Sequence, residues 1–429
     1  MEMASARRRA RQVSGDHVVL LSACVVLISV TLLLAAAVSS GFGAAGLAGE
    51  IKVVGRATSA PAAVEDVDGG RRYCGDDDRD SMFVDGEWVR DEAELRYPLY
   101  QSRDCPFIDV GFRCGENGRP DDGYARWTWR PRRCTLPRFD AKKLLEVLRN
   151  RRLVFVGDSI GRNQWESMLC MLSSAVPDAE ASVREENGSP ITKHKGYLSF
   201  RFLHHNLTVE HYRSPYLVRR GSRPRRAPRH VRSVLQLGAM DARAPLWKGA
   251  DILVFNSGHW WNQNRFQQLQ CYFQEGKKLR LDMSVESAYQ RAMDTVHQWV
   301  QKEVDASKTL AIFRTYSPAH TRHAATNGGS CAMETLPELN MTKISLERWP
   351  GMMQPVFGGL DSEAASELRV MNVTLMTAQR RDGHPAVYNV QPSARVPVGQ
   401  RGDCSHWCLP GVPDAWNELL YAMILTRYV

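Results

Sequence analysis

Long apolar runs are almost absent from this chain. Of its 429 residues only 18–38 (VVLLSACVVLISVTLLLAAAV) pass 21 positions without a charge, which excludes a multi-span transporter. No segment repeats and no tract is of low complexity; with 32 Gly, 21 Pro, 43% hydrophobic and 24% charged residues the composition excludes a collagen, a coiled coil and a wholly disordered chain. No phosphate-cradling glycine loop occurs, and the nine cysteines beyond the apolar run contain no C-x-x-C pair with zinc-like spacing, so no metal is expected. A nucleic-acid partner is not expected either. The net charge of +9, from 56 basic and 47 acidic residues, comes mostly from seven arginines between Arg219 and Arg232, with none of the usual binding modules around them.

What is present begins with that one apolar run. At about 1.5 Å per residue it crosses a ~30 Å hydrocarbon core, and Arg7, Arg8, Arg9 and Arg11 before it favour a cytosolic tail at 1–17 with the bulk of the chain lumenal. Ala35 to Ala37 would also suit cleavage of a signal peptide, but the run exceeds the usual apolar core of one, which favours an uncleaved anchor. Residues 39–72, rich in Gly, Ala and Val, read as a flexible stem. In an oxidising compartment the nine cysteines are expected to give four disulfides and one free thiol, with the pairing open. The sequons at Asn206, Asn340 and Asn372 agree with a secretory route.

From about 73 to 138 cysteines and tryptophans stand among few apolar runs, as in a loop-rich cap. From about 139 to 429 the pattern alternates. Asp140 caps a short helix through Arg152, then Leu153-Val154-Phe155-Val156 forms a buried strand ending at Gly157. A helix follows over 160–176, strands over 198–202 and 207–212, and a second apolar strand, Ile252-Leu253-Val254-Phe255, ends at Asn256. Ser284 caps a helix, Leu310-Ala311-Ile312-Phe313 restarts a strand, and Asp414 opens a last helix. Such alternation predicts an α/β domain with a mainly parallel sheet covered on both faces, its ligands at the carboxyl ends of the strands.

Polar residues collect at those ends. Ser159, in Gly157-Asp158-Ser159, falls between a buried strand and a helix N-terminus, where free N–H groups can stabilise an oxyanion. A hydroxyl there needs a base, and Asp403-Cys404-Ser405-His406 offers one. Asp403 would fix the tautomer of His406, which takes the Ser159 proton. Gly157-Asp158-Ser159-Ile160-Gly161 also fits the nucleophile elbow of α/β-hydrolases, but that fold needs several strands before the elbow.

Three segments together are distinctive: Gly157-Asp158-Ser159-Ile160-Gly161-Arg162-Asn163-Gln164, Phe255-Asn256-Ser257-Gly258-His259-Trp260-Trp261 and Asp403-Cys404-Ser405-His406-Trp407-Cys408-Leu409-Pro410-Gly411. Over about 73–429 the sequence resembles the plant trichome-birefringence-like family, Golgi O-acetyltransferases of cell-wall polysaccharides distantly similar to GDSL/SGNH esterases. The resemblance implies an SGNH-like three-layer α/β domain with a disulfide-stapled N-terminal cap, a single-pass type II Golgi membrane anchor, and a Ser159, Asp403, His406 triad. It aligns Asn256 with the asparagine that completes the oxyanion hole alongside the Ser159 amide; the glycine of the second esterase block finds no counterpart.

The expected reaction is double displacement: an acetyl-serine forms on Ser159, and a sugar hydroxyl of the polysaccharide acceptor then collects the acetyl group. No cofactor is expected to stay bound; acetyl-CoA, or a donor derived from it, enters as cosubstrate by resemblance alone. Arg162 and Asn163 are placed to orient donor or acceptor, or to anchor loops. Trp260 and Trp261, with Trp127 and Trp129, are platforms for sugar rings or plain core. The arginine cluster is a solvated loop or attracts a uronate-bearing polymer. Xylan is the first acceptor to consider, then pectic rhamnogalacturonan or mannan. An acetyl esterase with the same triad, or a wall-polymer binder in which the triad is idle, are the rival functions.

Overall fold

The structure, a computed structural model, describes residues 74, 85–91, 97–188, 196–320, 331–344, 367–393 and 402–429. All of them fall in the second of two units, which spans 65–429. The expected tail, anchor and stem (1–17, 18–38 and 39–72) lie outside the described residues, among which no helix is long and apolar enough to cross a membrane.

In chain order the strands are β1 (Gly86–Arg90), β2 (Trp127–Pro131), β3 (Arg152–Gly157), β4 (Val183–Glu185), β5 (Tyr197–Phe202), β6 (Leu207–Arg213), β7 (Val218–Ser222), β8 (Ser233–Met240), β9 (Ile252–Asn256), β10 (Cys271–Glu275), β11 (Lys278–Arg280), β12 (Leu310–Arg314) and β13 (Leu368–Met371). The framing helices are α1 (Ala141–Val147), α2 (Ser159–Ser173), α3 (Val285–Glu303) and α4 (Val412–Tyr428).

The main sheet runs β13-β12-β9-β3-β6-β5-β4, parallel from β13 to β6 and antiparallel beyond. Parallel strands need crossovers, and covering helices leave them no wet face, so their sequences are short apolar runs. Successive residues still part to opposite layers. Leu153, Phe155, Ile252, Val254, Leu310 and Ile312 pack with α2 and α4, whereas Val154, Val156, Leu253, Phe255, Ala311 and Phe313 pack with α3. Truncating one of these large side chains, Phe155 for instance, would cost about 3 to 5 kcal/mol.

A second sheet, β11-β10-β8-β7, packs beside α3; the sequence reading had no counterpart for it. β1 and β2 form an antiparallel pair in the cap, with Trp88 opposite Trp129.

Element ends shifted where local chemistry decided them. Asp140 caps α1 through the Lys143 N–H as expected, but the helix stops at Val147 and Asn150 turns the chain with φ 60° before β3. α2 ends at Ser173 rather than 176. α4 starts at Val412, with Asp414 in its first turn accepting from the Gly411 N–H at 2.8 Å.

Four disulfides close the fold: Cys74–Cys134 within the cap, Cys105–Cys170 from cap to α2, Cys114–Cys408 from cap to the segment before α4, and Cys331–Cys404. Cys271 is free and buried, so the expected four bridges and one thiol are found.

Candidate active site

Because β6, β3, β9 and β12 are parallel, their carboxyl ends meet at one edge, and the chain leaving each is polar there. Asp158 follows β3 and caps α2. Its Oδ1 accepts from the Ile160 N–H at 2.9 Å, the Gly161 N–H at 3.4 Å and the Asn256 amide at 2.7 Å. Gly157 and Gly161 make this possible, since a Cβ on either would run into the Asn256 Oδ1. The glycines on both sides of Asp158-Ser159 therefore exist so that Asn256 can lie on the start of the helix. Ser159 opens α2 half-buried, at the positive end of the helix dipole. Asn256, which the sequence aimed at the oxyanion, spends one of its two amide hydrogens on Asp158.

The second half of the site is a tight turn. Asp403 Oδ1 accepts from the Ser405 and His406 N–H groups, both at 3.0 Å, and its Oδ2 lies 2.7 Å from His406 Nδ1. Burial works against the Asp403 charge, but the His406 ring and these amides outweigh it and hold the carboxyl well below the usual carboxylate range. An ionised Asp403 assigns the ring proton to Nδ1, leaving Nε2 as the basic nitrogen. That Nε2 is buried and makes no hydrogen bond, so the Ser159 hydroxyl is not yet joined to it. Catalytic hydrogen bonds are often incomplete before substrate arrives.

The two halves are clamped through Asn163, one helical turn after Ser159. Its Oδ1 accepts from the Trp407 N–H at 2.8 Å, and its Nδ2 donates to the Trp407 carbonyl at 3.2 Å. The residue next to His406 is thus fixed to the first turn of α2. Trp407 is fully buried, with His384 stacked on it at 4.0 Å and its indole N–H on Ser317 at 3.0 Å. His384 Nδ1 lies 2.7 Å from the His406 carbonyl, Cys404 and Cys408 are in disulfides, and Phe112 of the cap lies 5.3 Å from the His406 ring.

Arg162 and Asn163 are therefore not substrate contacts here. Asn163 is fully buried with both ends of its amide used, and Arg162 is buried against Glu166, Asp109 and the Phe112 ring. Both position the loops around His406. Trp261 is a core residue, 1% exposed, its indole N–H on Ser257. Trp260 is half-buried, with Arg265 over its ring at 3.4 Å and Arg213 at 5.0 Å. Trp129 is buried in the cap and Trp127 is half-buried beside it. Asn340 is exposed; Asn206 is exposed too, but its amide is hydrogen-bonded to Arg201 and Asn150, and Leu207 and Thr208 of its sequon are buried in β6. At Asn372 the side-chain oxygen accepts from Thr315 and the Thr374 N–H, and Val373 and Thr374 are fully buried, so that tripeptide is part of the core.

One residue the sequence reading quoted without a role belongs to the site. His259, after β9, packs on Tyr316 with ring centroids 4.6 Å apart, and its buried Nε2 has no partner. Burial brings its ring down to about 4, helped by the nearby His406 and opposed by Asp158, so it is neutral at ordinary pH. Its only sequence signal was the place of Gly258-His259 at a strand end. Among the described residues no group of three or more His, Cys, Asp or Glu is placed to hold a metal ion.

Residues 136–423 match the GDSL/SGNH-like acyl-esterase family found in Pmr5 and Cas1p, and residues 81–135 match the PMR5 N-terminal domain. Among Arabidopsis thaliana proteins, trichome birefringence-like 9 is 45% identical over 350 residues, covering 80% of this chain and 83% of that protein. Trichome birefringence-like 7 is 42% identical over 356 residues, 82% and 75%, and trichome birefringence-like 34 is 34% identical over 368 residues, 82% and 87%. With a GDSL/SGNH-like acyl-esterase domain behind a PMR5-type N-terminal domain, the chain belongs to the trichome birefringence-like family of GDSL/SGNH-like acyl-esterase proteins.

Proposed function

We propose that the protein is an O-acetyltransferase acting on a plant cell-wall polysaccharide. Ser159 Oγ attacks the acetyl carbonyl carbon of the donor while His406 Nε2 takes its proton, and the imidazolium returns that proton to the leaving group. Asp403 stabilises the charge that His406 carries meanwhile. A sugar hydroxyl then gives its proton to His406 and attacks the acetyl-serine, regenerating the Ser159 hydroxyl. The Ser159 N–H, with the second hydrogen of the Asn256 amide, faces the developing oxyanion.

The observation that carries this reading is a buried imidazole nitrogen without a partner, in a ring oriented by Asp403 and fixed by Asn163 to the helix that Ser159 opens. In this reading xylan is the first acceptor to test, then pectic rhamnogalacturonan and mannan; the donor is acetyl-CoA or a carrier charged from it. Residues 18–38 hold the enzyme in the Golgi membrane as a single-pass type II protein.

Incubating the full chain with labelled acetyl donor and xylo-, rhamnogalacturono- or manno-oligosaccharides should label one acceptor class, and Ser159→Ala should abolish that label. Transfer retained in the Ser159→Ala variant refutes the serine intermediate. Acetate release at the same rate with and without acceptor makes the enzyme an esterase instead.

A further inference from the structure

Arg213, the last residue of β6, stands in register beside Gly157, two positions from Ser159. The next residue, Ser214, donates its N–H to the Gly157 carbonyl at 2.7 Å, which pins this corner to the nucleophile turn. Trp260 follows His259 on the other side of the site. Its ring has the Arg265 guanidinium at 3.4 Å and the Arg213 guanidinium at 5.0 Å, and it meets Tyr216 edge-on at 5.9 Å. Arg265 is itself held by its backbone N–H on the Asn262 side chain at 2.9 Å.

Two guanidiniums against one indole repel each other, and among the described residues neither has a carboxylate partner. The nearby acids form no ion pair with either: Asp158 caps α2 through Oδ1 and favours the Arg213 cation only at longer range, and Asp241 pairs with Arg243 and Ser214. Burial, with the charges of Arg265 and Arg162, works against the Arg213 cation, and the Arg265 Nε is buried without a partner. Half-buried unpaired cations of this kind are costly unless something anionic meets them. A guanidinium fork suits the two oxygens of a carboxylate or phosphate, and the indole fixes the plane of each fork.

We propose that Arg213 and Arg265, stacked on Trp260, form an anion subsite at the rim of the Ser159 centre that takes a carboxylate or phosphate group of a ligand. The proposal rests on the transferase reading only for which ligand brings the anion: the phosphates of an acyl-CoA donor, or the uronate of an acidic acceptor glycan. It also gives Trp260 a role other than an open sugar platform.

Calorimetric binding to the full chain at low salt tests it without any turnover, so the result stands whether or not acetyl is transferred. One arm uses CoA and inorganic pyrophosphate; the other uses a uronate-bearing xylo-oligosaccharide against its neutral counterpart. At least one anionic probe should bind, and Arg265→Gln and Arg213→Gln should each weaken it roughly tenfold or more, as expected for a charge-assisted pair. Binding of the neutral oligosaccharide should not change. Heat from the phosphate arm alone assigns the donor, and from the uronate arm alone the acceptor. If Arg213→Gln does not fold, Arg213→Lys replaces it, with a smaller loss because the fork is gone. Failure of every anionic probe to bind, or equal affinity in wild type and Arg265→Gln, overturns the subsite.

Discussion

Single side chains at this site act mainly by fixing others. Asn163 gives both ends of its amide to the Trp407 backbone, so an alanine there leaves two buried backbone groups unpaired, at about 1 to 3 kcal/mol each. Asn163→Ala should lower kcat roughly a hundredfold through misplacement of His406, with acceptor KM little changed. A serine-directed phosphonate should label Ser159 correspondingly more slowly; unchanged labelling and kcat would remove Asn163 from its positioning role. Gly161 is as constrained: Gly161→Ala drives a methyl into Asn256 and should cost about 1 to 3 kcal/mol in urea denaturation, with activity lost through the Asp158–Asn256 contact. Stability and activity equal to wild type would show that the Asn256 contact is dispensable. Ser159, Asp403 and His406 were legible as residue types in order, as was Asn256. For Arg162 and Asn163 the sequence left substrate contact and loop anchoring open, because the partners that decide it, Asp109 and Trp407, are remote in sequence and meet α2 only in the fold.

The strands of the main sheet were the most legible elements, since burial on both faces writes them as unbroken apolar runs. The second sheet was not, because β7 carries Arg219 and Arg220 outward and β8 is broken by polar residues. α2 read as a helix but concealed that every residue after Ser159 is buried. Two of its polar residues face α4, where Gln164 donates to Asn417 and Ser167 to Asp414. The turn bearing Asp403 and His406 leans on its bridges, as the Ala386–Asp403 pairing is its only secondary structure among the described residues. Loss of Cys331–Cys404 should destabilise the fold by about 2 to 4 kcal/mol and cut activity further than the lost folded fraction accounts for, whereas Cys271→Ser should be near wild type. Full activity of a folded Cys331→Ser, Cys404→Ser variant would show that the turn holds without its bridge.

For the molecule as a whole, buried ionisable groups set its response to acid. Burial is the main cause that lowers five imidazoles: His211 to about 3, His259 and His320 to about 4, His384 well below its usual value, and His297 below it. Unfolding returns them to about 6.5, so below that pH the unfolded chain binds protons that the folded one refuses. Two carboxyls act oppositely. Burial pushes Glu166 up to about 7 and Asp414 up to about 6, so the folded state holds protons that the unfolded chain releases above about 4.5. The lowered imidazoles outnumber the raised carboxyls, so unfolding near pH 5.5 takes up protons on balance and stability falls on acidification. Tm should therefore fall from pH 6.5 to pH 5; a Tm that is flat or rises would contradict these assignments. The seven arginines from Arg219 to Arg232 are all exposed on β7 and the following loop, and among the described residues none forms an ion pair. Such a surface favours a polyanion by long-range attraction, and acceptor affinity should weaken from low to high salt for uronate-bearing glycans only. Affinity independent of salt would make it a plain solvated loop.

The central claim is a covalent acetyl group on Ser159. Rapid quenching of the full chain with acetyl donor and no acceptor, followed by peptide mass spectrometry, should find the acetyl mass on Ser159, absent in His406→Ala and discharged when oligosaccharide is added. Steady transfer to the oligosaccharide with Ser159 never acetylated, or with the acetyl group on another residue, would contradict it.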